Sequence, residues 1–298
     1  MQQRGAISLP IIVVLSAIGF MYYTTVFVFI DDWFGLKTSQ GLMNAVAFTS
    51  MALMCLVTYG IAIVKDPGQV PETFVPDIED SETPIHEIKR KCPRSGIYES
   101  SNSSQVSRVH EGGDLRFCQK CSHHKPPRAH HCRVCKRCVL RMDHHCIWIN
   151  NCVGHANYKI FFVFVVYAVS ASIHSLVLFV GSVLHDDPEV EKQSDSSSRL
   201  YYIISGLLLV SITMALSTLL GWHIYLTLRN KTTIEYHEGV RAMWLAKKVG
   251  NIYRHPYDIG PYENLTSVLG PNIFTWICPT SSHIGSGLRF QTAYDNTQ

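Results

Sequence analysis

Four long stretches of the sequence contain almost no charged side chains. They cover residues 8–30, 41–64, 160–184 and 201–228. Apart from His174 and His223, they contain no Asp, Glu, Lys, Arg or His. Each stretch reaches the ~20 apolar residues that are needed to cross ~30 Å of hydrocarbon. Four runs of this length exclude an ordinary soluble core, so the sequence predicts an all-α polytopic membrane protein with four transmembrane helices.

The sequence also has no small-residue cleavage site after its first apolar run, as a secretory signal peptide would need. We interpret this run as a retained membrane anchor. Lysine and arginine are nearly absent from one side of the predicted membrane, where Lys37, Lys192 and Arg199 are the only examples. The N-terminus, the 65–159 loop and the tail after residue 228 carry all the others. The positive-inside rule therefore predicts that both termini and the long loop face the cytosol.

The predicted spans divide the chain into five parts. Residues 1–64 hold spans 1 and 2, 65–116 form a cytosolic linker, 117–158 a cysteine-rich domain, 159–228 hold spans 3 and 4, and 229–298 form a cytosolic C-terminal region. The stretch 77–113 has little periodicity and is expected to be mobile. A net charge of +3 argues neither for nor against nucleic acid as a partner, and no nucleic-acid partner is expected.

The cysteines are unevenly distributed, because seven of the ten lie between Cys118 and Cys152. In the cytosol, clustered Cys and His indicate bound metal rather than disulfides. Two sets of four residues have identical spacing, the second set being the first moved by fourteen residues: Cys118, Cys121, His131 and Cys138, then Cys132, Cys135, His145 and Cys152. Three thiolates and one imidazole are a common ligand set for structural zinc. The cluster therefore predicts a two-zinc domain between spans 2 and 3.

Two other interpretations of the cluster stay open. A single zinc ion with spectator cysteines would leave the duplicated spacing unexplained. An iron–sulfur site would usually take four cysteines per cluster. Within the two-zinc interpretation, another histidine could replace either of the assigned ones, the candidates being His123, His124, His130 and His155.

Cys146 is the one cysteine of this block that the two sets leave over. It follows His145 directly and lies beside His144 and Asp143. A thiol, an imidazole and a carboxylate are the parts of an activated-nucleophile site. Because the third span begins shortly afterwards, the thiol is predicted to lie at the cytosolic membrane surface, within reach of a substrate with a long alkyl tail. The alternative is a buried spare thiol without a chemical role.

The sequence resembles the DHHC-type protein S-acyltransferases, also called palmitoyltransferases. The resemblance runs from Cys118 to about residue 162 and includes KPPR at 125–128 and W-x-N-N-C-V-G at 148–154. Outside that block, DPG at 66–68 and TTIE at 232–235 fit the family's short motifs. Asn264 lies in a segment similar to the family's C-terminal motif.

The resemblance implies a palmitoyltransferase that forms an S-acyl-cysteine intermediate. Cys146 would take a long-chain acyl group from acyl-CoA and pass it to a cysteine of a membrane-associated protein. His144 would act as the base, Asp143 would orient it, and Thr233 and Asn264 would support them. The family also implies an endomembrane location, with the Golgi favoured over the ER, vesicles or the plasma membrane.

Two further features concern acyl-CoA. Arg133, Lys136 and Arg137 could bind its phosphates, or could form a solvated basic face near anionic lipid. In the third span, small side chains recur at Ala168, Ala171, Ser172 and Ser175. Such a stripe usually indicates close helix packing, but it could instead line the acyl cavity, with Ala171 limiting chain length.

Two functions of other classes compete with catalysis. A membrane-tethered zinc adaptor or ubiquitin-ligase-like module would need the zinc ions but not Cys146. A transporter regulated by a zinc domain would need paired polar residues inside its spans, and the sequence has few.

Overall fold

The computed structural model of the protein describes residues 8–76, 116–185, 196–248, 253, 255–280, 285–293 and 295. The stretch predicted to be mobile, 77–113, lies outside the described residues. Within them, helices form the membrane part, and three short hairpins form the cysteine-rich domain between spans 2 and 3.

Four helices are long and apolar enough to cross a membrane. They are Leu9–Phe34, Ser39–Val64, Tyr158–Leu184 and Arg199–Leu228. This confirms the four predicted spans and extends their ends. The first span continues through Asp31 and Asp32 because the chain stays helical until Gly35, whose φ of 75° ends it. The second begins two residues early, since Thr38 caps its N-terminus by accepting a hydrogen bond from the Gly41 N–H at 3.0 Å.

Span 1 changes its helical form in the middle. The α-helix Leu9–Thr24 passes into a π-helical turn, Thr25–Phe29, and then into the short helix Ile30–Phe34. At the turn, the Thr25 hydroxyl donates to Met21 O at 2.7 Å and lies 2.6 Å from the Ser175 hydroxyl of span 3. Paired hydroxyls of this kind hold membrane helices together. Spans 1 and 3 are therefore in direct contact.

The cysteine-rich domain consists of three antiparallel hairpins. Their strands are β1 Phe117–Cys118 with β2 His123–His124, β3 His130–Cys132 with β4 Arg137–Val139, and β5 His144–Cys146 with β6 Asn151–Val153. The three have the same register, each moved by fourteen residues: Cys118 pairs with His123, Cys132 with Arg137 and Cys146 with Asn151. The repeat that the sequence shows twice is therefore built three times.

The DPG segment ties span 2 to this domain. Gly68 has a φ of +99°, which favours glycine, and its carbonyl accepts from the Leu140 N–H at 2.9 Å. Asp66 accepts from the Arg137 guanidinium at 2.8 Å. From the third hairpin, the Asn151 side chain donates to Lys65 O at 2.8 Å and so satisfies a carbonyl at the end of span 2. The cysteine-rich domain is thereby held directly against the membrane helices.

Two helices follow span 4. The first, Thr233–Lys248, begins at the TTIE segment, and the second is Pro261–Leu269. Val268 and Leu269 of the second helix are buried in one apolar cluster with Cys146 and with residues of spans 2 and 3. The C-terminal region therefore packs on the same apolar cluster as the predicted nucleophile.

Candidate active site

The structure brings together the two predicted four-residue groups. Cys118, Cys121, His131 and Cys138 form one group, and Cys132, Cys135, His145 and Cys152 the other, with the ligand atoms of each group within 4.8 Å of one another. In both groups the histidine presents Nδ1 to the sulfurs, at 3.2–3.9 Å in the first and 3.4–3.7 Å in the second. The four alternative histidines belong to neither group among the described residues. Each group could hold one metal ion, and its thiols and imidazole suit zinc.

Cys146 occupies the position of a metal ligand in a third, incomplete knuckle. The first two hairpins turn through a left-handed residue four positions after their first cysteine, at Ser122 and Lys136, and the third does so at Asn150. In the second hairpin the Cys135 N–H donates to the Cys132 sulfur at 3.3 Å. The residue equivalent to Cys135 is Ile149, so the third knuckle lacks its second thiol. The remaining ligand positions of such a set, 159 and 166, hold Lys and Val, so Cys146 belongs to neither four-residue group.

Asp143 is the centre of the hydrogen-bond network around this thiol. It is fully buried, and one carboxylate oxygen accepts from the Thr233 N–H at 2.9 Å. The other oxygen accepts from the Thr233 hydroxyl at 2.9 Å and lies 2.7 Å from His144 Nδ1. This arrangement orients the imidazole and leaves Nε2 for proton transfer. The order carboxylate, imidazole, thiol is that of an activated-nucleophile site.

The same network changes the ionisation of its members. Burial alone would raise the pKa of the Cys146 thiol, but His144 and the backbone N–H groups of Ile149 and Trp148 together lower it. Burial disfavours the charged form of His144, yet Asp143 and Cys146 raise its pKa to about 9. The pKa of Asp143 lies below its ordinary value, because hydrogen bonds and nearby histidines outweigh burial. The network therefore shifts Cys146 toward the thiolate and His144 toward the imidazolium.

A second imidazole, His223 of span 4, completes the site. Its ligand atoms lie within 4.8 Å of those of Asp143 and His144, and its ring centre is 5.9 Å from that of His144. The Tyr158 hydroxyl, at the start of span 3, lies 3.1 Å from His223 Nδ1. Sequence reasoning missed both residues. The available signal was that His223 is a buried ionisable residue in a membrane span, which is a functional candidate by default.

A buried ion pair joins the KPPR and TTIE segments. Arg128 is 3% exposed, and its guanidinium donates to both carboxylate oxygens of Glu235, at 2.7 and 2.8 Å. It also donates to Asn230 and stacks on the rings of Tyr257 and Phe290, at 4.3 and 4.9 Å. Glu235 is two residues from Thr233. The pair therefore fixes the segment that holds Asp143.

Asn264 acts at the end of span 4. Its amide donates to Leu228 O at 2.8 Å and to Asp258 at 2.7 Å, and its carbonyl accepts from the Ile259 N–H at 3.2 Å. The Leu228 carbonyl belongs to the last turn of the span, where no intrahelical donor is available. Asn264 thus fixes the end of the helix from which the TTIE segment continues.

The residues predicted for acyl-CoA have mixed surroundings. Arg133 and Lys136 are exposed, whereas Arg137 is half-buried and paired with Asp66. In span 3, Ala171 is half-buried, and Ser175 is fully buried against Thr25 of span 1. At Ser175 the stripe therefore serves helix packing.

Comparison with known proteins agrees with this geometry. A family model described as DHHC palmitoyltransferase matches residues 111–240. The chain is 61% identical to the probable protein S-acyltransferase 16 of Arabidopsis thaliana, with 99% of this chain and 97% of the relative aligned. It is 45% identical to the probable protein S-acyltransferase 15 of the same plant, over 93% of this chain and the whole relative. It is also 30% identical to the palmitoyltransferase ZDHHC15A of Danio rerio, with 95% of this chain and 83% of the relative aligned. The chain therefore belongs to the DHHC palmitoyltransferase family.

Proposed function

We propose that this protein is a protein S-acyltransferase that moves a long-chain acyl group from acyl-CoA to protein cysteines through an S-acyl-Cys146 intermediate. The observation that carries the proposal is the thiol of Cys146, which lies in a metal-type knuckle but in neither four-residue group, next to the Asp143–His144 pair. That thiol lies in an apolar cluster with Tyr59 of span 2 and Phe161 of span 3. A fatty chain could bury its methylenes among these helices, at about 0.8 kcal/mol for each.

The reaction then has two balanced halves. The Cys146 proton passes to His144, and the thiolate attacks the acyl-CoA carbonyl, so that one thioester forms as the other breaks. The coenzyme A thiolate leaves and takes the proton from His144. In the second half, His144 accepts the proton of a substrate cysteine, whose thiolate attacks the acyl-enzyme. The Cys146 thiolate then leaves and takes that proton from His144. One thioester replaces another, so no further reactant is needed.

The two Cys and His groups would hold zinc as a scaffold. Each offers four protein ligands, which leaves no open position for a catalytic water. Zinc held by His145 would fix the strand that also carries His144 and Cys146. The metal would therefore position the nucleophile without entering the reaction.

We further propose that Cys146 faces the cytosol of an endomembrane, with the Golgi favoured. The distribution of lysine and arginine supports this orientation. The substrates would then be membrane-associated proteins whose acceptor cysteines are cytosolic. The orientation can be tested with single cysteines placed near each terminus and an impermeant thiol reagent. Labelling on sealed vesicles is expected, whereas labelling of both termini only after the vesicles are permeabilised would contradict the proposed orientation.

Purified protein given labelled palmitoyl-CoA is expected to transfer the label to a membrane-tethered cysteine peptide. Without the peptide, the protein itself should keep about one acyl group per chain, sensitive to hydroxylamine because it is a thioester. Mass spectrometry should place that group on the tryptic fragment that contains Cys146. A peptide with serine in place of cysteine is the matched control. A stable metal-bound protein that transfers nothing and keeps no label would favour the zinc-adaptor alternative.

Neutralising the exposed patch is expected to weaken acyl-CoA use. Because Arg133 and Lys136 are exposed, their double replacement by Gln should raise KM for palmitoyl-CoA about threefold to tenfold if they contact phosphate. Arg137→Gln should instead lower stability, since it removes the partner of Asp66. An unchanged KM together with weaker binding to anionic liposomes would assign the patch to the membrane surface.

Bulk at Ala171 is expected to shift preference toward shorter acyl chains. Ala171 lies twelve residues beyond Lys159, or about 18 Å along a helix, close to the reach of a sixteen-carbon chain. Ala171→Tyr should therefore favour lauroyl-CoA over palmitoyl-CoA in competition assays. Ala47→Tyr, in the span 2 helix, is a control for added bulk elsewhere in the membrane. An unaltered length profile in an active variant would assign Ala171 to helix packing as well.

A further inference from the structure

A cationic cavity lies behind the active site, between the start of span 3 and the C-terminal segment 285–291. It has a volume of about 190 Å³. Four basic side chains line it, namely Arg128, Arg141, Lys159 and Arg289, and no Asp or Glu is among its lining residues. The exposed patch of Arg133 and Lys136 contributes nothing to it. A cavity with this lining suits an anion.

Arg128 and Arg141 are both engaged within the protein. Arg128 is paired with Glu235, as described above. Arg141 is 4% exposed, donates to Asn230 at 3.3 Å and stacks on the Tyr158 ring at 5.0 Å. The Glu235 carboxylate faces Arg128 at 2.7 Å and His255 at 3.6 Å, and it does not itself line the cavity. The wall of the cavity therefore keeps an excess of positive charge.

Lys159 is the decisive residue. It is 2% exposed, and its ammonium is buried without a hydrogen-bond partner among the described residues. It is also the second residue of a 28-residue helix, where the helix dipole adds positive potential. Burial of an ammonium without a counter-charge is strongly unfavourable in a protein interior. An anion in the cavity would remove that cost.

We infer that this cavity binds a phosphate group, held by Lys159 with Arg141 and Arg289. Two cytosolic sources supply that chemistry: the phosphates of coenzyme A, and the phosphorylated headgroup of an inner-leaflet lipid. Lys159 begins a membrane span, so the cavity lies at the level of lipid headgroups. For the coenzyme A source, the inference rests on the proposed acyl-CoA reaction; for the lipid source, it does not.

Occupancy of the cavity would reach the catalytic residues through Tyr158. The Tyr158 ring lies under Arg141, and its hydroxyl contacts His223 at 3.1 Å. His223 in turn lies beside Asp143 and His144. A bound phosphate would therefore steady the far end of the same network that orients the His144 imidazole.

The test measures binding without turnover. The full-length protein with Cys146→Ser is titrated with coenzyme A, with 3′-dephospho-coenzyme A, and with dioctanoyl phosphatidylinositol 4-phosphate against dioctanoyl phosphatidylinositol. Lys159→Gln is expected to weaken one phosphate probe roughly tenfold, the effect of losing one charge-assisted hydrogen bond. Lys247→Gln, an exposed lysine in the helix after span 4, is the matched control.

The outcomes separate the two sources. A loss confined to coenzyme A assigns the cavity to the acyl donor, and a loss confined to the phosphorylated lipid assigns it to a headgroup. Unchanged affinity for both probes, in variants with normal metal content, overturns the inference. If Lys159→Gln fails to fold, Arg289→Gln at the exposed rim of the cavity makes the same test. Acyl-adduct formation at saturating palmitoyl-CoA, in Lys159→Gln with Cys146 intact, shows separately whether the proposed function holds.

Discussion

Cys146→Ser is expected to abolish the acyl-enzyme and all transfer, and His144→Ala to slow acyl-enzyme formation by about 10²–10⁴-fold, the usual contribution of a general acid–base group. The two effects differ in kind. A serine hydroxyl in the same knuckle is not ionised by His144, so no thioester can form. Without His144, the thiolate still has the backbone N–H groups of Ile149 and Trp148. Single-turnover labelling with palmitoyl-CoA should therefore show no adduct in the first variant and a slow adduct in the second.

His145→Ala is the control that separates the two neighbouring histidines. His144 makes its contact with Asp143, whereas His145 presents Nδ1 to three cysteine sulfurs. His144→Ala should keep full metal content, and His145→Ala should lose one metal ion as well as activity. The reverse pattern of metal loss would require the two roles to be exchanged. A Cys146→Ser protein that still forms a thioester would place the nucleophile elsewhere.

Much of the architecture could be predicted from composition and spacing. The four spans follow from runs of residues that cannot be accommodated in water, and only their ends moved, by helix caps at positions such as Thr38. The two metal-binding groups follow from the spacing of Cys and His, because the second set of four ligands repeats the first. The same fourteen-residue spacing also extends to a third hairpin. Cys118, Cys132 and Cys146 begin three equivalent hairpins, and the third set has Ile149, Lys159 and Val166 in place of its other three ligands, which leaves Cys146 free.

The rest of the site could not be predicted because it depends on contacts between distant segments. His223 lies 79 residues after His144, and its proximity comes from the packing of span 4 on span 3. The pairing of Arg128 with Glu235 joins two motifs whose spacing gives no hint of contact. Arg137 carries a charge that suits phosphate, but the structure gives it to Asp66. A charged side chain in a sequence does not indicate whether its partner lies inside the protein or outside it.

Removal of one cysteine ligand is expected to destabilise the cysteine-rich domain, and the loss of activity should differ between the two groups. Zinc binding contributes about 10–16 kcal/mol in small zinc domains. Cys135→Ala and Cys121→Ala should therefore each reduce zinc from two ions per chain and lower the unfolding temperature. His131 and Cys132 are adjacent and belong to different groups, so damage to one group should reach the other.

The distinction lies in distance from Cys146. Cys135 shares its group with His145, the direct neighbour of the nucleophile, whereas Cys121 acts only through the adjacent hairpin. Activity should consequently vanish in Cys135→Ala and fall less in Cys121→Ala at low temperature. Cys55→Ala, which removes a buried free thiol of span 2, should keep both metal ions and control for cavity formation. Metal analysis of each folded variant measures the loss of zinc. In the wild type, a content of one zinc ion or of bound iron would contradict two interleaved zinc sites.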